Sequence, residues 1–178
     1  YSDYSFTTAV KYTMRQTVKF LGMKDFLVGL GTENDIRSPF MVNWIRNLAT
    51  LLSGATPSTI PLELQIIGSR DDGAGGISPG TGEQKDQLPP LKASGFIGPK
   101  GDKIIAIWKD GVAEKFDPGS KVQVTVPQVS TEEVYGIDVL NGYQQRLKTK
   151  RVNGELVIPE LLVKDYPILL HLGETGRK

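Results

Sequence analysis

Lys121-Val122-Gln123-Val124-Thr125-Val126 is the stretch whose reading decides the fold class. Its three valines alternate with Lys121, Gln123 and Thr125, so one face of an extended segment meets a core and the other meets water. Turn signals punctuate the chain on either side. Gly98-Pro99-Lys100-Gly101 predicts a tight turn between Phe96 and Ile104, and Asp110-Gly111, Asp117-Pro118-Gly119, Asn141-Gly142 and Asn153-Gly154 follow. Asn-Gly and Asp-Gly tolerate the positive φ that two-residue hairpins require. The segments between them, 103–109, 121–126, 133–140, 144–152, 155–158 and 161–172, read as strands. Turns every ~8–12 residues are the pattern of a sandwich or barrel. Upstream, Leu62, Leu64 and Ile66 alternate with Glu63 and Gln65 as one more strand. The sequence therefore predicts a mostly β chain, with an antiparallel β-sandwich of Ig-like or jelly-roll type over 55–178. Within it, 68–90 carries Gly73, Gly75, Gly76, Gly80 and Gly82 with few apolar residues, which predicts a long flexible surface loop.

Residues 1–54 read differently. Phe6, Val10, Met14, Val18 and Leu21 fall at helical spacing, and Gly22 supplies a stop. Phe26-Leu27-Val28-Gly29-Leu30 is a short apolar run without alternation, as in a strand buried on both faces. A second helix is expected from a Ser38 cap and Pro39 to Gly54, with Val42, Ile45, Leu48, Ala49 and Leu52 as its apolar stripe, flanked by Trp44 and Leu51. A doubly buried strand needs neighbours, and nothing else in 1–54 supplies one. The economical reading is an α-β-α segment from the end of a (β/α)8 barrel. The plainer one has both helices packing on the sandwich, with 26–30 an apolar connector or edge strand.

Composition bounds the function. The 178 residues carry 39% hydrophobic and 23% charged side chains and a net charge of +1, so electrostatics predict no nucleic-acid and no membrane partner. No apolar run approaches the ~18 residues that span a bilayer. A soluble protein is expected, with secretion left open. The absence of cysteine removes thiol chemistry, and a single histidine, His171, removes His-rich metal clusters. No cofactor motif is present: the 73–82 glycines lack a Lys-Ser/Thr ending and a following helix. Asp71 and Asp72 lack the ligand spacing of a calcium loop. No spacing marks a catalytic residue, and His171 reads as structural. Arg146, Lys148 and Lys150 read as a solvated basic stripe. Trp108, Tyr135 and Tyr143 are candidates for a sugar-stacking platform, although Trp108 shares a face with Ile104 and Ala106 and so also reads as core.

Three stretches add a resemblance. Pro39-Phe40-Met41-Val42-Asn43-Trp44-Ile45-Arg46-Asn47-Leu48 with Leu51-Leu52-Ser53-Gly54-Ala55, then Lys103-Ile104-Ile105-Ala106-Ile107-Trp108-Lys109-Asp110-Gly111, then Leu162-Val163-Lys164-Asp165-Tyr166-Pro167-Ile168, resemble the end of a clan A glycoside hydrolase. These enzymes join a (β/α)8 barrel to a carboxy-terminal β-sandwich. The resemblance implies that both catalytic glutamates would lie upstream of Tyr1, so this chain would lack the carboxylate pair of retaining hydrolysis. It implies a non-catalytic accessory module acting on carbohydrate, with a barrel domain or partner chain covering the N-terminal helices. Glu33 and Asn34, in Gly31-Thr32-Glu33-Asn34-Asp35, would then touch sugar hydroxyls. Two rivals stand beside it. One is a free-standing carbohydrate-binding module using Trp108 or a tyrosine. The other is a structural or interaction domain that binds through Val10, Met14 and Val18.

Overall fold

The computed structural model describes residues 6–23, 39–67 and 89–173. These residues form two helices, α1 (Phe6–Leu21) and α2 (Pro39–Leu52), and ten strands. The strands are β1 (Thr56–Ser58), β2 (Glu63–Ile66), β3 (Leu91–Ile97), β4 (Lys103–Lys109), β5 (Ser120–Val126), β6 (Val134–Asp138), β7 (Tyr143–Arg146), β8 (Lys150–Val152), β9 (Glu155–Val163) and β10 (Ile168–Leu172). They form two open sheets, in the orders β1-β3-β4-β10-β6-β7 and β2-β5-β9-β8, and every pairing is antiparallel. No helix among the described residues is long and apolar enough to cross a membrane.

The expected Ig-like or jelly-roll sandwich is corrected by this topology. The protein is mostly β with two antiparallel sheets, but among the described residues neither sheet closes and no curled sandwich forms. Turn dipeptides and alternation specify antiparallel pairing and a buried face. They do not specify which strands become neighbours, and that choice separates the β architectures. The expected barrel remnant is corrected too, since the described residues show two short helices and no barrel closure. The run Phe26–Leu30, on which that reading depended, lies outside the described residues.

Register assigns the faces of the six-stranded sheet. Ile168 sits opposite both Ile107 and Asp138, whereas His171 sits opposite Ile104 and Tyr135. Directly paired residues share a face, so Ile104, Ala106, Trp108, Leu169 and His171 lie on one side and Ile105, Ile107, Ile168 and Leu170 on the other. The helices cover the first side. A Cβ on Gly22, just past α1, would meet Ser94, which pairs with Ala106, and Asn47 of α2 donates to the carbonyl of Val139 at 2.9 Å. The four-stranded sheet shares the core from the second side. Ile104 to Trp108 is consequently buried at every residue, which is why β4 shows no alternation.

Val10, Met14 and Val18 on α1 are all 2% exposed or less, and each such side chain gains roughly 1.5–3 kcal/mol from burial. In α2 Trp44 and Leu48 are buried and Ile45, Leu51 and Leu52 are partly buried against the core, and Trp44, Ile45, Leu48, Ala49 and Leu52 line a groove of about 350 Å³ together with Thr17 and Leu21 of α1. The stripe faces the core as expected, but its centre lies at Trp44, which was expected only to flank it. Trp44, the largest apolar side chain of the helix, takes the deepest place because it removes the most area from water. Gly54, at φ +70, ends α2 as expected, with the amide of Ala55 bonded to the carbonyl of Leu52.

Candidate functional site

Polar chemistry concentrates in two adjacent places. The first is the seat of α1 on the connector between β4 and β5. Lys11 Nζ lies 2.8 Å from Asp165 Oδ1, both side chains being 4% exposed, and donates to the carbonyl of Glu114 at 2.6 Å. Arg15 reaches the carbonyls of Asp165 and Gly111, each at 2.6 Å. The Asp165 carboxylate accepts the Glu114 amide at 2.7 Å, and the Tyr12 hydroxyl accepts the Ala113 amide at 2.9 Å. Asp117, its side chain 2% exposed, takes Lys109 Nζ at 2.5 Å, the Gly119 amide at 2.9 Å and the Asp165 amide at 2.6 Å. Burial alone would raise the Asp117 carboxyl. The Lys109 hydrogen bond, the two amides and the Lys109 charge outweigh it and hold the group below its usual value. Arg15 Nη2 is buried without a hydrogen-bond partner and Asp165 Oδ1 has only the Lys11 ion pair, but the remaining charged groups close on one another away from solvent, so this cluster is a clamp. A ligand has no way in.

The second place is open. Strand β7 is an edge of the six-stranded sheet, and all four of its residues are exposed. The turn before it is tightly held. Asp138 Oδ1 accepts the amides of Leu140 at 3.1 Å and Asn141 at 3.0 Å, and Oδ2 accepts Asn141 Nδ2 and the Tyr166 hydroxyl, both at 2.8 Å. The Gly142 amide returns to the Asp138 carbonyl at 2.8 Å. Burial, then the charge and hydrogen bond of Asp138, pushes the Tyr166 hydroxyl well above the ordinary tyrosine value, so Tyr166 stays a proton donor. This turn delivers Tyr143, a residue 73% exposed.

Tyr143 lines a cleft of about 270 Å³ with Asp138, Gln145 and Lys164, over an apolar floor that includes Leu147, Leu161 and Ile168. Gly136 opens that floor, since a Cβ there would press on Leu147 at 3.2 Å. Lys164 Nζ donates to the carbonyls of Asp117 at 2.8 Å and Pro118 at 3.0 Å, which leaves a third N–H. Gln145 is exposed on the same strand face as Tyr143. An exposed ring, an amide and an ammonium with a remaining N–H thus stand together above an apolar floor. Among the described residues Asp138 is the only carboxylate lining the cleft and its bonds are internal, so they assemble no carboxylate pair for hydrolysis there.

The residues expected from sequence divide three ways. Glu33 and Asn34 lie outside the described residues. Trp108 is 1% exposed, with its Nε1 unpaired inside the core, and presents no ring face to solvent. Of the two tyrosines, Tyr135 lies on the helix-side face with its hydroxyl on Glu133 at 2.8 Å, and Tyr143 lines the cleft. Sequence reasoning passed over Gln145 and Lys164. The signal for Gln145 was its i+2 spacing from Tyr143, whereas nothing local marks Lys164, which arrives from the connector between β9 and β10. It also left His171 without a partner. The structure gives it Asp102, at 2.7 Å from Nε2, beside a pocket with Thr50, Ser53 and Lys100. No group of three or more metal-ligating side chains occurs among the described residues.

The chain matches no protein-family model and no curated protein. Together with the open sheets, this overturns the resemblance to a clan A glycoside hydrolase: that family's signature is not matched and the described residues close no barrel. The three stretches that suggested it fall on α2, on β4 and on the β9–β10 junction. There a capped helix, a doubly buried strand and a proline-marked break each have a local physical cause that any family meets.

Proposed function

We propose that this chain is a non-catalytic carbohydrate-binding module that holds a sugar against Tyr143 in the cleft at the β7 edge. The observation that carries the reading is a 73% exposed tyrosine on a turn fixed by Asp138, Asn141 and Tyr166. A ring held in place before binding loses little freedom when a ligand arrives. The Gln145 amide and the remaining Lys164 N–H supply directed partners for hydroxyl groups around the ring, as polar groups do in mostly apolar sites.

Titration calorimetry against a panel of oligosaccharides tests it. Binding to at least one member is expected. Tyr143→Ala should weaken that binding by about tenfold or more, a change of ~1.4 kcal/mol, whereas Tyr143→Phe should keep most of it. A panel without any binder, or a Tyr143→Ala protein that binds like the parent, would overturn the proposal.

A further inference from the structure

The protein contains two exposed Asn-Gly dipeptides at hairpin turns, and the structure treats them differently. Asn141 is bound on every side: Nδ2 donates to Asp138 at 2.8 Å and to the Tyr166 hydroxyl at 3.1 Å, its amide donates to Asp138 at 3.0 Å, and the following Gly142 amide is held by the Asp138 carbonyl at 2.8 Å. Asn153, at the tip of the β8–β9 hairpin, has no such ties. It sits at φ 51 and Gly154 at φ 84, the pair of left-handed conformations of a two-residue hairpin. Among the described residues no hydrogen bond holds the Asn153 side chain or the Gly154 amide. Nothing stands within 4 Å of where a Gly154 Cβ would be.

We infer that Asn153 is a self-modification site, where the side-chain amide is lost by attack of the next residue's backbone. The Gly154 nitrogen attacks Asn153 Cγ, a new C–N bond closes a five-membered imide, and the bond to the side-chain nitrogen breaks. The Gly154 nitrogen gives up its proton and ammonia leaves. Water then opens the imide at either carbonyl, giving aspartate or its isomer with the main chain routed through Cγ. One water enters and one ammonia departs, so no oxidant or enzyme is needed. Gly154 favours the step because it lacks a side chain to hinder the approach. At Asn141 both the attacking nitrogen and the leaving amide must first break hydrogen bonds. The product places a negative charge beside Arg151, whose Nη1 already reaches the Gly154 carbonyl at 3.2 Å.

Peptide mapping by mass spectrometry, on the folded chain held in warm, mildly alkaline buffer, tests the inference. Asn153 should convert about tenfold or more faster than Asn141, the ratio that ~1.4 kcal/mol in a barrier produces. In concentrated urea the two rates should converge, because both sites then differ only in neighbouring sequence. Equal rates in the folded protein overturn the assignment, as does a ratio that urea leaves unchanged. Conversion at neither site while both convert in urea also overturns it.

Discussion

The α1 seat and the Tyr143 cleft are neighbours that share Tyr166, whose ring lies 5.4 Å from Lys11 Nζ and whose hydroxyl holds Asp138. In the seat, two cations of α1 are spent on carbonyls and a carboxylate, and the charged groups are sealed from water. In the cleft, one carboxylate satisfies a turn so completely that the next side chain can stand in solvent. The difference shows that a polar cluster becomes a structural joint when its donors and acceptors close on one another. It leaves a side chain standing in solvent when its bonds hold up something else. Burial and leftover capacity, more than charge, distinguish the two.

The strongest way to break the contrast is Asp165→Asn, which leaves the buried Lys11 ammonium without its counter-charge. A loss of about 3–5 kcal/mol in urea unfolding is expected, the scale for breaking a buried pair. A change below 1 kcal/mol (roughly the value of an exposed pair) would mean the seat is wetter than its exposure implies. Acid should come next. Asp117 has a carboxyl pKa below its unfolded value of 3.8, so the native state binds fewer protons there. Its stabilisation is complete above that value and fades as pH falls through the lower native one. Urea midpoints across the acid range should therefore drop less steeply for Asp117→Asn than for the parent, and matching slopes would discount the site. Trp108→Phe should cost less than about 1.5 kcal/mol, as lost area is partly offset by removing an indole N–H that is buried without a partner. At the cleft, Tyr143→Ala should alter stability by no more than ~0.5 kcal/mol, since an exposed side chain supports nothing else. A larger loss would move Tyr143 from the surface into the framework.

Much of the skeleton was legible from local chemistry. The first helix, the capped second helix and the strand at 103–109 follow from spacing and end signals, and the Gly98–Gly101 turn closes as expected, with Gly101 at φ +83. What could not be read was where the chain changes sheets. Residues 144–152 look like one alternating strand but divide into β7 and β8, because Leu147 turns back to the carbonyl of Val134 and Thr149 to that of Glu132. Asp110-Gly111 looks like a hairpin, yet it opens a connector between sheets that Arg15, from the far end of the sequence, holds in place. Conversely, the sequence predicts separate strands over 155–158 and 161–172, with Pro159 between them. In fact β9 runs through that proline by an irregularity opposite Val122 and Val124. The cleft was half visible: Tyr143 could be named from sequence, but its other walls come from β9, β10 and the residues between them.

The strands taper toward the rims of both sheets. The outermost are β1 and β8 with three residues each and β2 and β7 with four, while strands of up to nine residues lie inside. A second chain approaching any rim would find only a few free backbone groups, at about 1 kcal/mol net for each bond made. On β1, Pro57 removes a donor even from that short supply. The freedom lost on association costs at least ~4 kcal/mol. Copies of this protein thus gain little by zipping edge to edge, and open sheets that invite fibril growth in principle are closed to it by their length.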